Sequence, residues 1–396
     1  QWAGGTRVTR SGDWTSHTAD IIVNPNTSSE SRSAAYYLAL VADDGTVLPL
    51  DTTVLYQRGV VDSYESSDYS ADGTVKVLQE ATCGNGIQVV LMGDGFTDRD
   101  IADGTYDYIM QRAMENLFSE EPVSSLRDYF SVYSVTAVSR HGTVGTDSKT
   151  AFSSVPSLLS TGIACDEERI KRYTRNVNGI DFQRAVTLVV VNSHSRNGVT
   201  YLYSDPVDRI PMQYAISLAA IVDDLDSELF REVVVHETIG HALAKLGDEY
   251  GYDENPVFPD DKKSALQVLH NYLWMLNVDT NSDFARVPWR AFENDMRFSN
   301  ENIGVYEGAY TYMSGIYRPT EESMMRSNRS PFNAPSRKVI YERVMYLGEG
   351  RQNVTMDEFA AFDAEHKPTR WNYSTTRSLT PWQPQHFAPP VLRGFP

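Results

Sequence analysis

Short apolar runs separated by polar, turn-forming residues fill the beginning of the chain. Examples are residues 21–23, 34–41 and 46–50, and an Asp-Asp-Gly turn at 43–45 separates the last two runs. Short β-branched runs interrupted by turns are typical of antiparallel sheets. The pattern therefore predicts a small antiparallel β domain over residues 1–80.

The pattern changes after this point, where longer apolar runs alternate with amphipathic stretches. Continuous or alternating apolar runs indicate strands, whereas apolar residues three or four apart indicate helices. The predicted strands cover residues 87–92, 129–138 and 185–191, and the predicted helices cover residues 98–120, 229–246 and 264–275. Strands that alternate with helices predict a central sheet. We therefore expect residues 81–396 to form one α+β or mixed α/β domain.

Charge and hydropathy narrow the class of protein. The chain of 396 residues carries a formal net charge of −18, which argues against a nucleic-acid partner because phosphate binding needs clustered Lys and Arg. No apolar run approaches the roughly 20 residues of a membrane-crossing helix, so we predict no transmembrane segment. Strong acidity suits an exported protein or one with bound cations. In an oxidising compartment Cys83 and Cys165 could form one disulfide, or both could remain free thiols.

The predicted helix at 229–246 contains two histidines and an adjacent glutamate. The segment reads His236-Glu237-Thr238-Ile239-Gly240-His241. Two histidines on one helical face with such a glutamate form the zincin arrangement, in which the imidazoles bind Zn²⁺ and the carboxylate activates water. The usual spacing is four residues, whereas here it is five. On an ideal helix five residues advance about 500°, which leaves the two side chains roughly 140° apart.

A single i→i+5 turn, or π-bulge, would return both histidines to one face. Gly240 favours such a bulge, since it removes a side chain where the backbone must widen. The alternative is a partly buried helix whose histidines bind no metal. The flanking sequence favours the metal, because Gly247 ends the helix in a C′-like position. Directly after it, Asp248 and Glu249 supply carboxylates to a chain that reverses beneath the helix.

Three further segments accompany this helix. They read Gly93-Asp94-Gly95-Phe96-Thr97, Leu246-Gly247-Asp248-Glu249-Tyr250, and Tyr317-Arg318-Pro319-Thr320 followed by Met324-Met325-Arg326. In content and order, over about residues 90–330, the set resembles the IgA-peptidase family of bacterial metallopeptidases. That family has a Gly-Asp-Gly-Tyr/Phe-Thr segment early in its catalytic domain and a Leu-x-Asp-Glu-Tyr segment after the metal helix. A Tyr-Arg-Pro-Thr stretch then leads to a methionine before an arginine.

The resemblance implies a zincin-like catalytic domain of metzincin type, with a mixed sheet and an active-site helix, and Zn²⁺ as cofactor. Carried over by position, His236 and His241 are zinc ligands and Glu237 is the general base. The resemblance also implies Asp248 as the third ligand, with Glu249 as the alternative.

The same resemblance implies a methionine-containing turn beneath the metal. Met325 matches the Met-turn residue, and Met324 is the alternative; such a side chain supplies a soft apolar floor rather than a bond to zinc. Tyr317 or Tyr250 is expected to hydrogen-bond the oxyanion or the substrate.

The five-residue spacing departs from the family's usual motif. It is similar to the spacing in the dipeptidyl peptidase III family, in which a separate acidic segment supplies the third ligand, so the pair Glu321-Glu322 is a further candidate. The sequence favours a secreted, periplasmic or cell-surface bacterial zinc endopeptidase that hydrolyses peptide bonds of extracellular proteins with metal-activated water. The alternative is a catalytically degenerate, exported binding protein of the same fold.

Overall fold

In the computed structural model the chain divides into two units, residues 1–63 with 377–383 and residues 64–376 with 384–396. The structure describes residues 64–157, 160–222, 225–366, 368 and 388–395, and the backbone of two earlier strands. These strands are β1 (Arg32–Val41) and β2 (Val47–Gln57), which form an antiparallel hairpin in the first unit. The predicted apolar run at 21–23 lies outside the described residues, and the extent of the N-terminal β domain stays a prediction.

The β-branched and apolar runs of the second unit form its strands. Its strands are β3 (Val75–Gln79), β4 (Ile87–Asp94), β5 (Phe130–Val135), β6 (Val155–Pro156), β7 (Ile163–Ala164), β8 (Val186–Val191), β9 (Gly198–Ser204), β10 (Pro211–Ala220), β11 (Tyr306–Ala309), β12 (Tyr312–Arg318) and β13 (Val391–Arg393). Seven of them form a sheet in the order β13-β9-β10-β8-β4-β5-β3. Strands β10, β8, β4 and β5 are parallel, and β9 and β3 run antiparallel to their inner neighbours. Because β3 belongs to this sheet, the second unit begins before residue 80.

Helices cover the sheet and connect its strands. They are α1 (Asp98–Ala102), α2 (Thr105–Leu117), α3 (Glu167–Thr174), α4 (Glu228–Val234), α5 (Asp260–Asn271), α6 (Met324–Ser327), α7 (Ala334–Glu349) and α8 (Met356–His366). A π-helix, Val235–Leu243, continues α4 without a break. Gly104, with a φ of 87°, divides the predicted helix 98–120 into α1 and α2. Among the described residues, no helix has both the length and the apolar character to cross a membrane.

Alternation along the central strands directs side chains to two separate cores. Leu91 and Leu188 point to the core that contains α2, α4, the π-helix and α7, whereas Val90 and Val189 point to a smaller core that includes Ile170 of α3. A central sheet buried on both faces requires such continuous apolar strands. The mixed architecture confirms the predicted fold class and places the π-helix against β8, β9 and β10.

Candidate metal centre

The π-helix brings the two histidines together. The helix starts at Ser227, whose side chain caps the backbone N–H of Leu229. From Val235 the backbone changes to i→i+5 bonding, as in the 3.0 Å bond from the Ala244 N–H to the Ile239 carbonyl. Such a turn absorbs one residue more than an α-helical turn. The ring centroids of His236 and His241 therefore lie 4.7 Å apart, and the predicted bulge is confirmed.

Gly240 is required at the widened turn because Met325 packs directly against it. A Cβ atom at position 240 would lie 2.4 Å from the Met325 Sδ and 2.9 Å from its Cε. The Met325 side chain is fully buried and lies beneath the histidine-bearing helix. Met325 thus packs against the helix that carries both histidines, and its role as the Met-turn residue beneath a metal stays a prediction.

Asp248 completes a cluster of three potential metal ligands. One ligand atom from each of His236, His241 and Asp248 lies within 4.8 Å of the others, and all three side chains are buried. The Asp248 Oδ1 lies 3.3 Å from the His236 Nε2 and 3.2 Å from the His241 Nε2. Donor atoms bound tetrahedrally to zinc at about 2.0–2.1 Å are separated by roughly 3.3 Å. The observed separations fit a single small metal ion.

Backbone carbonyls fix the orientation of both imidazoles. The His236 Nδ1 lies 3.0 Å from the Met324 carbonyl, and the His241 Nδ1 lies 2.8 Å from the Leu246 carbonyl. Since a carbonyl only accepts, each Nδ1 carries the proton. Each Nε2 then directs its lone pair towards Asp248, as metal-binding histidines require. Lys245, with a left-handed φ of 58°, reverses the chain so that Leu246 and Asp248 return to the helix.

The ligand cluster contains buried polar atoms that need a partner. The His241 Nε2 and both Asp248 carboxylate oxygens are buried without a satisfied hydrogen bond among the described residues. With both Nδ1 atoms protonated, two imidazole lone pairs face the Asp248 oxygens, which are also acceptors, and a divalent cation would satisfy this arrangement.

Glu237 lies beside the ligands and is held by strand β9. The Thr200 hydroxyl donates to the Glu237 Oε2 at 2.7 Å. Gly198 allows the close approach, because a Cβ there would lie 3.0 Å from the Glu237 Oε1. Burial raises the pKa of Glu237 to about 7, and the Thr200 hydrogen bond opposes this shift. The site thus contains a carboxyl group suited to proton transfer near neutral pH.

The two candidate tyrosines occupy different places. Tyr250 is buried, and its pKa is raised well above the usual value by burial and then by the charge of Asp248. Tyr317 lies in β12, where its backbone pairs with Asp279. Among the described residues, the Tyr317 hydroxyl makes no hydrogen bond to the ligand cluster. The structure therefore brings Tyr250, and not Tyr317, to the metal-binding residues.

The alternative carboxylates have other partners. Glu249 accepts hydrogen bonds from the Ser323 hydroxyl at 2.6 Å and the Asn277 side-chain amide at 2.8 Å. Glu322, from the other acidic pair, forms a salt bridge with Arg326. Neither belongs to the cluster that could hold a metal.

Asp94, in the glycine-rich segment, is the last residue of the central strand β4 and has a structural role. It accepts hydrogen bonds from the Thr150 hydroxyl and from the backbone N–H groups of Phe152 and Ser154, each at 2.9 Å. The two cysteines are free thiols, so the structure contains no Cys83–Cys165 disulfide.

The mixed sheet and the histidine-bearing helix with its returning aspartate define a zincin-like peptidase domain. The sequence model of the family described as IgA Peptidase M64 matches residues 75–292 and 286–345. The chain belongs to this peptidase family, which confirms the resemblance identified from its motifs. Comparison with curated proteins gives no match.

Proposed function

We propose that the chain is a zinc-dependent endopeptidase that hydrolyses peptide bonds of extracellular proteins. The observation that carries the proposal is the convergence of His236, His241 and Asp248 beside the carboxylate of Glu237. Two imidazoles and one carboxylate form a ligand set typical of catalytic zinc, which keeps a further position open for water or substrate. The family membership supports peptide-bond hydrolysis, and the acidic charge supports a secreted, periplasmic or cell-surface location.

Each residue of the site has a distinct task in this reaction. Zinc, when bound, supplies Lewis-acid chemistry that polarises water and the scissile carbonyl. Glu237 accepts a proton from the attacking water at a carboxylate oxygen and then passes it to the nitrogen of the leaving amine. Thr200 holds the carboxylate in place during both transfers. Tyr250 is the better placed of the two tyrosines to stabilise negative charge that develops on the carbonyl oxygen.

A comparison of the unaltered chain with Glu237→Gln tests the proposal. We expect one zinc ion per unaltered chain and cleavage of unfolded protein substrates. Glu237→Gln should bind zinc as tightly but cleave about 10²- to 10⁴-fold more slowly, because it cannot accept the proton. Glu228→Gln, a change at an exposed position in the preceding helix, is the matched control and should retain activity.

Two outcomes would contradict the proposal. The first is an unaltered chain that binds no stoichiometric zinc. The second is a zinc-loaded chain whose cleavage of a broad peptide library does not depend on Glu237, which would favour an exported binding protein of this fold.

A further inference from the structure

Asp248 and Glu249 are adjacent acidic residues with opposite surroundings. Both are fully buried, in a segment without helical structure between the π-helix and α5. Asp248 faces His236 and His241, whereas the Glu249 side chain lies outside the ligand cluster, among hydrogen-bond donors of other segments.

Side chains from three separate segments donate hydrogen bonds to the Glu249 carboxylate. Ser323, before α6, donates from its hydroxyl at 2.6 Å. Asn277, after α5, donates from its amide to Oε1 at 2.8 Å. Asn333, which caps α7, donates to Oε2 at 3.1 Å. These donors lie 28, 74 and 84 residues away along the chain, so the Glu249 carboxyl group joins three segments that the sequence separates.

These hydrogen bonds also connect Glu249 to the atoms that orient the metal-binding side chains. The Glu249 N–H donates to the Met325 carbonyl at 2.8 Å. Ser323 directly precedes Met324, whose carbonyl accepts the hydrogen bond from the His236 Nδ1. Asn277 exchanges two hydrogen bonds with the backbone of Gly247, at 2.7 and 2.8 Å. One carboxylate thus joins the loop that carries Asp248 to the turn that orients His236.

We propose that Glu249 is a positioning residue that holds Asp248 and the 323–325 turn in the geometry that binds the metal. This role rests on the proposed function, in which His236, His241 and Asp248 are the metal ligands. Glu249 itself touches neither the metal nor the substrate. Its loss should therefore weaken metal binding through misplacement of Asp248 and His236, and not only lower the stability of the fold.

Zinc affinity of the 396-residue chain tests this role. It is measured by competition with a chromophoric chelator at a temperature where each variant remains folded. Glu249→Gln should bind zinc about 10- to 100-fold more weakly than the unaltered chain. Ser323→Ala removes one donor and should weaken binding roughly 2- to 10-fold. The double variant should resemble Glu249→Gln alone, because Ser323 acts through the Glu249 carboxylate.

Asp363→Asn is the matched control, since Asp363 is a buried carboxylate that binds Arg337 at 2.6 Å outside the ligand cluster. It should lower the unfolding temperature and leave zinc affinity unchanged. Equal zinc affinity of Glu249→Gln and the unaltered chain would overturn the positioning role, as would an equal loss in Asp363→Asn. If Glu249→Gln does not fold, Ser323→Ala becomes the test, and an unchanged zinc affinity of that variant would overturn the positioning role. An unaltered chain without zinc would instead refute the proposed function, and this role with it.

Discussion

Replacing Gly240 with alanine perturbs the point where the π-helix packs against Met325. The added Cβ would lie 2.4 Å from the Met325 Sδ, whereas non-bonded heavy atoms are stable at about 3.5–4.0 Å. Because Met325 is fully buried, its side chain cannot turn into solvent. Either the helix or the methionine must move, and both support the ligand cluster.

The expected energy change follows from two opposing effects. Overpacking a buried contact costs about 1–3 kcal/mol. Alanine is better than glycine inside a helix by about 0.5–1 kcal/mol. The middle of each range gives a net loss of about 1 kcal/mol in the free energy of unfolding of Gly240→Ala. Shortening the methionine should remove the clash, so we expect Gly240→Ala and Met325→Ala to show a favourable coupling of about 1 kcal/mol.

Urea denaturation of the metal-free single and double variants, followed by circular dichroism, measures both quantities. Gly142→Ala is the control, because its Cβ would meet only the Thr97 Cγ2 at an ordinary 3.4 Å. Its effect should stay within about 0.5 kcal/mol. The packing argument would be refuted if Gly240→Ala were as stable as this control, or if the two changes at positions 240 and 325 were simply additive.

Three further predictions concern Glu237, the metal and the buried ion pairs of Arg337 in α7. Gly198→Ala should lower kcat at unchanged zinc affinity, because its Cβ would lie 2.6 Å from the Val233 Cγ1 and 3.0 Å from the Glu237 Cγ and Oε1, and would displace both side chains. Unchanged initial rates would contradict this prediction. Zinc at a hundred times its Kd should raise the free energy of unfolding by about 2.7 kcal/mol. The Tm should rise when zinc is added and fall again when a chelator removes it. A Tm that stays constant would contradict metal binding. Arg337→Met should lower the free energy of unfolding by about 3–5 kcal/mol in urea denaturation, because it leaves the carboxylates of Glu301 and Asp363 buried without their cation. A loss below about 1 kcal/mol would show that these carboxylates do not depend on Arg337.

Local features of the structure were predictable from the sequence. The apolar runs identified β4 and β8, since burial on both faces removes polar positions from a strand. The five-residue spacing and Gly240 together predicted the π-helix, because only a wider turn aligns His236 with His241. The predicted helix 98–120 was wrong at Gly104, where the backbone adopts a left-handed conformation. One glycine within a stretch of helical apolar spacing was too weak a signal to predict that the helix is interrupted there.

Contacts between distant segments were not predictable. Thr200 is 37 residues from Glu237, and Met324 is 88 residues from His236. These pairings depend on strand order and on how α6 packs beneath the π-helix, which no periodicity encodes. Adjacent carboxylates posed the same difficulty, because sequence left Asp248 and Glu249 as alternatives. Only the direction of the backbone after Lys245 separates the one that faces the histidines from the one that does not.

The five-residue spacing also affects how such proteins are found and aligned. A search for His-Glu-x-x-His passes over this chain, because His241 stands one position too far along. When this chain is aligned with a chain that has the shorter motif, the extra residue opens a gap between Glu237 and His241. That gap falls within the turn that Met325 packs against. Chains with the longer motif should therefore be identified by two positions read together, a glycine before the second histidine and a flexible methionine in the later turn.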